Sequence, residues 1–230
     1  MESIAQAVIL ADGEVGSRAA LDRAWPGWLA PDPLVIAADG GARNAEIVGL
    51  RIDRWVGDGD SLGDAGVRAL QAAGVPVERS PLDKDESDTE LAVLAALDRK
   101  PAAIVILGAL GGPRLDHALA NLALLAMPEL LDVDVRLLAT DARVRLLTAP
   151  TRDGQAAELT ISGRAGDLVS LFPIGGDATG VTTAGLAFPL TGEPLLVGRS
   201  RGLSNLRTTE TATVMLQAGR LLVVETPATL

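Results

Sequence analysis

The chain contains no cysteine, which excludes disulfides, thiolate metal sites and cysteine nucleophiles. It has a single histidine, His117, and the lack of a second one or of any thiol argues against a zinc site. No apolar run approaches the roughly 20 residues that span a bilayer. The stretch Met1-Glu2-Ser3-Ile4 lacks the basic start of a secretory signal. Two lysines, Lys84 and Lys100, stand among twenty basic residues, and the formal net charge is −10. That balance argues against a nucleic-acid partner, which needs a basic surface, and no Lys/Arg-rich helix points to membrane docking. A soluble cytoplasmic protein is the expectation that remains. With 230 residues and 48% apolar content, the chain can bury one substantial core or two smaller ones.

What is present falls into two parts. In the first, short apolar runs alternate with helical stretches. Ala7–Leu10, Leu34–Ala38, Arg54–Val56 and Ala103–Leu107 read as strands, and Asp64–Ala73, Asp88–Arg99 and Leu115–Met127 as helices. Continuous apolar strands separated by helices indicate a mostly parallel sheet covered on both faces. The polar, turn-prone stretch Thr148–Gly154 reads as a linker. Beyond it lie short runs, Leu168–Phe172, Leu195–Val197, Thr211–Leu216 and Leu221–Glu225, with Gln217–Arg220 as a hairpin turn between the last two. The expected fold is α/β: an N-terminal three-layer domain over residues 1–148, then a small C-terminal antiparallel β-sandwich over residues 155–230.

Three acidic clusters each follow an apolar run: Asp58-Gly59-Asp60, Asp83–Asp88, and Arg114-Leu115-Asp116-His117. In open parallel sheets the ligand crevice lies outside the carboxyl ends of the strands, where these clusters, Asp39 and the Gly108–Gly112 loop all fall. At strand spacing Asp58 and Asp60 would face the same way, roughly 6.6 Å apart. At an effective dielectric near 20 such a pair costs about 2.5 kcal/mol with both groups ionised. A divalent cation carrying a polyphosphate offsets that repulsion, and oxygen-only ligands favour magnesium. An EF-hand is excluded, because its fifth and twelfth positions fall on Leu62 and Ala69. Ser87 and Glu90 match a helix capping box, and Arg114 has the chemistry to clamp a phosphate. The glycine loop matches neither the dinucleotide fingerprint nor a Walker A sequence. These residues point to a magnesium-dependent enzyme acting on a nucleotide.

Six segments taken in order resemble the thiamine diphosphokinase (thiamine pyrophosphokinase) family. They are Ala38–Ala42, Val56–Ser61, Asp83–Glu90, Leu107–His117, Gly185–Leu190 and Gly202–Asn205. The resemblance implies an α/β catalytic domain followed by a thiamine-binding β-sandwich, in a homodimer with the active site at the subunit interface. It also implies transfer of the diphosphate of ATP to the hydroxyl of thiamine, giving thiamine diphosphate and AMP. By resemblance Asp58, Asp60 and Asp85 hold Mg2+ and, with Arg114, do the chemistry. Asp39, Gly40, Asp88, Gly111, Gly112, Arg114, Asp116 and His117 bind the nucleotide and its phosphates, and Phe188, Ser204 and Asn205 bind thiamine. The family places a bulky aromatic residue between the paired aspartates, where this chain has Gly59. Strand alternation would turn residue 59 away from both carboxylates. Two rivals stay open at this point: another magnesium-dependent nucleotide phosphohydrolase, and a non-catalytic protein that binds a nucleotide or thiamine.

Overall fold

The apolar runs of the first part become adjacent parallel strands in the computed structural model, which describes residues 3–228. Met1 and Glu2, where the N-terminal reading began, lie outside the described residues, as do the last two of the chain. Strands β1 (Gln6–Leu10), β2 (Leu34–Ala38), β3 (Arg54–Gly57), β4 (Val77–Arg79), β5 (Ala103–Leu107) and β6 (Asp134–Leu138) line up in the order β6-β5-β1-β2-β3-β4. Every neighbouring pair among them is parallel. Residues 6 to 10 of β1 are all buried, as a central strand covered on both faces must be. On one face Val8, Leu10, Val35, Ala37, Trp55, Val105 and Leu107 form a core with helices α1 (Arg18–Ala24), α2 (Asn44–Val48) and α3 (Gly63–Ala72). Over the other face runs α4 (Asp88–Leu97), packed on β1, β2 and β3.

Local chemistry sets the helix limits. Ser17 caps α1 by accepting from the N–H of Ala20 at 3.2 Å, and Ser87 caps α4 by accepting from the N–H of Glu90 at 3.1 Å. Helix α4 stops at Leu97, short of the Arg99 read from sequence, because Pro101 forbids helical backbone at the preceding residue. Likewise α5 (Leu115–Leu124) ends before Met127, ahead of Pro128. No helix among the described residues is long and apolar enough to cross a membrane.

The chain divides into two compact units, one ending at Thr140 and the other beginning at Asp141. The second unit is all β. Strands β7 (Arg143–Ala149), β9 (Leu168–Pro173), β12 (Asn205–Leu206) and β14 (Gly219–Thr226) pair antiparallel in the order β12-β9-β14-β7. Strands β8 (Ala157–Ser162), β10 (Ala178–Ala184), β11 (Glu193–Leu195) and β13 (Thr211–Leu216) form a separate antiparallel sheet in the order β11-β10-β13-β8. The two sheets share one core that includes Leu147, Val169, Leu171, Leu221 and Val223 from one side and Ile161, Val181, Val214 and Leu216 from the other. Two sequence readings change here. The polar stretch after β7 is a turn inside this unit, closed by the N–H of Thr151 on Gln155 O at 2.9 Å. The segment Gln217–Arg220 is not a hairpin, because β13 pairs with β8 and β10 while β14 pairs with β7 and β9. It is a corner that carries the chain from one sheet to the other.

Candidate active site

In the first unit the chain moves outward from β1 through β2 and β3 to β4, then returns to β5 and β6 on the far side of β1. The loops after β1 and β5 therefore part in opposite directions, and such a switch point opens a crevice. A cleft of about 420 Å³ lies there. Its walls come from the carboxyl ends of five strands: Ala11–Gly13, Asp39, Asp58 with Asp60 and Ser61, the Leu82–Thr89 segment, and Gly108–Arg114. His117 and Asn121 of α5 complete it.

Asp39 is the most constrained of these residues. It is 3% exposed and has the left-handed backbone (φ 40°) that few residues other than glycine adopt. Three bonds hold it: its carboxylate accepts the N–H of Ser61 at 2.9 Å and of Leu62 at 3.2 Å, and its carbonyl accepts the indole N–H of Trp55 at 3.0 Å. Burial raises its pKa against the lowering effect of the two N–H groups, with Asp60 and Asp88 adding to the rise. Gly57 passes so close that a Cβ there would sit 2.8 Å from Asp39 Cβ, so only glycine fits.

Asp58 and Asp60 lie in a turn that follows β3 rather than in the strand. Asp58 Oδ1 accepts the N–H of Asp60 at 3.0 Å, and Gly59 between them has φ 87°. Glycine suits that backbone where a bulky residue would be strained. A Cβ at residue 59 would meet Val67 and Arg79 rather than either carboxylate, so residue 59 turns away through turn geometry and not through strand alternation. Carboxylate oxygens of Asp39, Asp58 and Asp60 converge to within 4.8 Å of one another.

Facing them is Lys84, whose amino group lies 2.8 Å from Asp58 Oδ2 and 2.8 Å from Asp88 Oδ1. The hydrogen bond from Lys84 lowers the pKa of Asp58. Burial raises that of Asp88, which Lys84 only partly offsets. For Lys84 itself burial opposes the charge, yet the attraction of the two carboxylates, Asp58 and Asp88, prevails and the pKa is raised. Because Ser87 caps α4, Asp88 in the first turn lines the cleft, whereas Asp85 is exposed and outside the converging group.

The glycine loop forms the opposite wall. Asn121 donates to Ala109 O at 3.1 Å, and Asn44 donates to Ala11 O at 2.8 Å and Gly13 O at 3.0 Å. These two buried amides tie the loops after β1 and β5 to the helices behind them. Gly111, Gly112, Arg114 and His117 line the cleft, while Gly40 and Asp116 do not. Arg114 makes a bidentate pair with Asp116, at 2.9 and 2.6 Å, on the surface. That pair holds the carboxyl of Asp116 well below the usual carboxylate range.

Phe188, Ser204 and Asn205 belong to the second unit. Phe188 is 72% exposed, on a loop anchored by buried Leu186 and Leu190. The side chain of Asn205 accepts from the N–H of Phe188 at 3.0 Å and donates to its carbonyl at 2.7 Å. Asn205 therefore acts as a clamp on the Phe188 backbone. Ser204 is exposed with φ 56°, and its N–H donates to Ser170 Oγ at 2.9 Å.

Sequence reasoning passed over Lys84, Asn44 and Asn121 as site residues. Asn121 had one signal, a carboxamide inside the otherwise apolar run of residues 118–127.

Two family models match the chain: the thiamin pyrophosphokinase catalytic domain over residues 28–137, and the thiamin pyrophosphokinase vitamin B1 binding domain over residues 157–221. The thiamine pyrophosphokinase of Bacillus subtilis (strain 168) is 27% identical over 149 residues, which span 65% of this chain and 66% of that relative. A crystal structure of thiamine pyrophosphokinase from Bacillus subtilis superposes with a TM-score of 0.80 at 24% identity, covering 96% of this chain and 99% of that one. Thiamin pyrophosphokinase from Candida albicans does so with a TM-score of 0.74 at 15% identity, covering 97% and 89%. At these identities the two superpositions establish the fold.

Proposed function

The chain belongs to the thiamin pyrophosphokinase family, and from that premise we propose that its acidic cleft transfers the diphosphate of ATP to the hydroxyl of thiamine, giving thiamine diphosphate and AMP. The observation that carries the reading is the convergence of Asp39, Asp58 and Asp60 across the cleft from the Gly108–Gly112 loop. Three carboxylates and no nitrogen or sulfur donor fit a hard cation, magnesium before zinc or copper. We place the ion on Asp39, Asp58 and Asp60, with Asp85 left at the rim. When bound, it supplies neutralisation of polyphosphate charge.

The remaining work falls to the chain's own residues. The glycine loop offers room for phosphate oxygens beside the N-terminus of α5. Arg114 is free to exchange Asp116 for a phosphate, because a solvent-exposed ion pair contributes little. Gly40, Asp88, Gly111, Gly112, Asp116 and His117 complete the assignment of the nucleotide side. The thiamine hydroxyl oxygen bonds to the β-phosphorus, the bond from that phosphorus to the α,β-bridging oxygen breaks, and AMP departs with that oxygen. The alcohol proton passes late to Asp60 or Asp85 at the rim. Positioning and charge neutralisation account for most of the acceleration in such transfers. Thiamine is a cation, which the exposed aromatic face of Phe188 attracts, and Ser204 offers it a hydroxyl.

We further place the protein in the cytoplasm as a homodimer with the active site at the subunit interface. Support comes from Leu115 and Leu119, 71% and 58% exposed one turn apart on α5 beside the cleft, which a partner subunit would cover.

Product analysis with ATP and Mg2+, with and without thiamine, tests the transfer. AMP is expected only when thiamine is present, and in equal amount to thiamine diphosphate. Phosphate release without thiamine would replace this reading with hydrolysis, and nucleotide binding without turnover would replace it with a sensor.

A further inference from the structure

Lys84 is one of two lysines in the chain, and it is folded inward from the loop after β4 with one tenth of its side chain exposed. A long, flexible ammonium side chain ordinarily keeps its head in water, and fixing it carries an entropy cost. Here the head is held between two carboxylates, 2.8 Å from Asp58 Oδ2 and 2.8 Å from Asp88 Oδ1. The contact with Asp88 is close but not aligned as a hydrogen bond, so Asp88 Oδ1 is left without one. Asp58 is thereby shared, since it also belongs to the converging group with Asp39 and Asp60.

Asp39, Asp58, Asp60 and Asp88 line one cleft and repel one another, and Lys84 bridges two of them. We propose that Lys84 is the resident counter-ion of the cleft, a positioning residue that holds Asp58 and Asp88 in place and competes with a divalent cation for Asp58. The proposal rests on the reading that Asp39, Asp58 and Asp60 take that cation. A divalent cation held on Asp58 would oblige Lys84 to surrender or share that carboxylate, and the ammonium would then be available to a polyphosphate oxygen. A purely structural lysine would pair with carboxylates the metal does not use, and its removal would leave metal affinity unchanged.

Calorimetric titration of Mg2+ into the nucleotide-free protein distinguishes the two roles. Lys84→Met is expected to bind Mg2+ about tenfold more tightly than the wild type, since a competing charge-assisted bond is gone. Lys84→Arg retains the competing charge and is expected to keep wild-type affinity within about twofold. Without metal, Lys84→Met should melt below the wild type, and saturating Mg2+ should narrow the gap. Should Lys84→Met fail to fold, Lys84→Gln makes the same comparison. Wild-type or weaker Mg2+ affinity in the uncharged variant overturns the proposal alone. Absence of Mg2+ binding in every form overturns the metal assignment, and the proposal with it.

Discussion

Asp58→Asn is expected to lower turnover by about a thousandfold or more while leaving the fold intact. Removing one preorganised charge-stabilising group commonly costs about 10²–10³ in rate, and Asp58 stands in two relationships at once. It contributes to the converging group with Asp39 and Asp60, and its other oxygen pairs with Lys84. Asparagine retains the side-chain oxygen that accepts the N–H of Asp60 at 3.0 Å, so the turn after β3 keeps its shape. The lost attraction to Lys84 is countered by relief of repulsion from Asp39 and Asp60, and the melting temperature should change little. Steady-state AMP formation across a magnesium series, alongside circular dichroism, checks both halves. Near-normal activity at limiting magnesium would mean that the ion sits elsewhere.

Glu225→Gln is expected to destabilise the protein by about 3–5 kcal/mol, the usual effect of removing one partner from a buried ion pair. The carboxylate is 1% exposed in β14. It accepts from Arg143 Nε at 2.7 Å, from a terminal nitrogen of Arg143 at 2.6 Å and from Arg207 at 2.8 Å, and a terminal nitrogen of Arg145 lies 3.6 Å away. Arg207 is fully buried, and burial pulls its pKa down despite the attraction of Glu225 and Asp167. Neutralising Glu225 leaves guanidinium groups enclosed with too little negative charge. Arg207 follows directly after β12, which carries Asn205. A fall in melting temperature on the order of 10 °C follows for a chain of this length. Wild-type stability in urea would show that the arginines are balanced by other means.

Much of this could be read from residue order, for reasons that differ along the chain. Leu34–Ala38 and Ala103–Leu107 were legible to the residue, because strands buried on both faces leave uninterrupted apolar runs. Helix α4 began where its Ser87 cap required. Strand β4 was missed because three half-buried or exposed residues at a sheet edge carry no pattern. Strand β7 was obscured by Arg143 and Arg145, whose charges read as surface but are paired inside the second unit. The expected hairpin at Gln217–Arg220 failed on a long-range choice, since two alternating strands and a turn look alike whether they pair with each other or with opposite sheets. At the candidate site the residue types were legible and their geometry was not. Asp58 and Asp60 came from a motif, yet a glycine turn rather than a strand brings them together. Lys84 stood out only as a rare residue within an acidic cluster, and its burial between two carboxylates required the fold.

The most direct test of the central claim is anomalous diffraction from crystals soaked with Mn2+ and a non-hydrolysable ATP analogue. A metal peak is expected at coordination distance, about 2.1 Å, from carboxylate oxygens of Asp39, Asp58 and Asp60, with the polyphosphate directed toward the Gly108–Gly112 loop. Carboxylates facing solvent with no ion among them, or a nucleotide bound away from this cleft, would contradict the account.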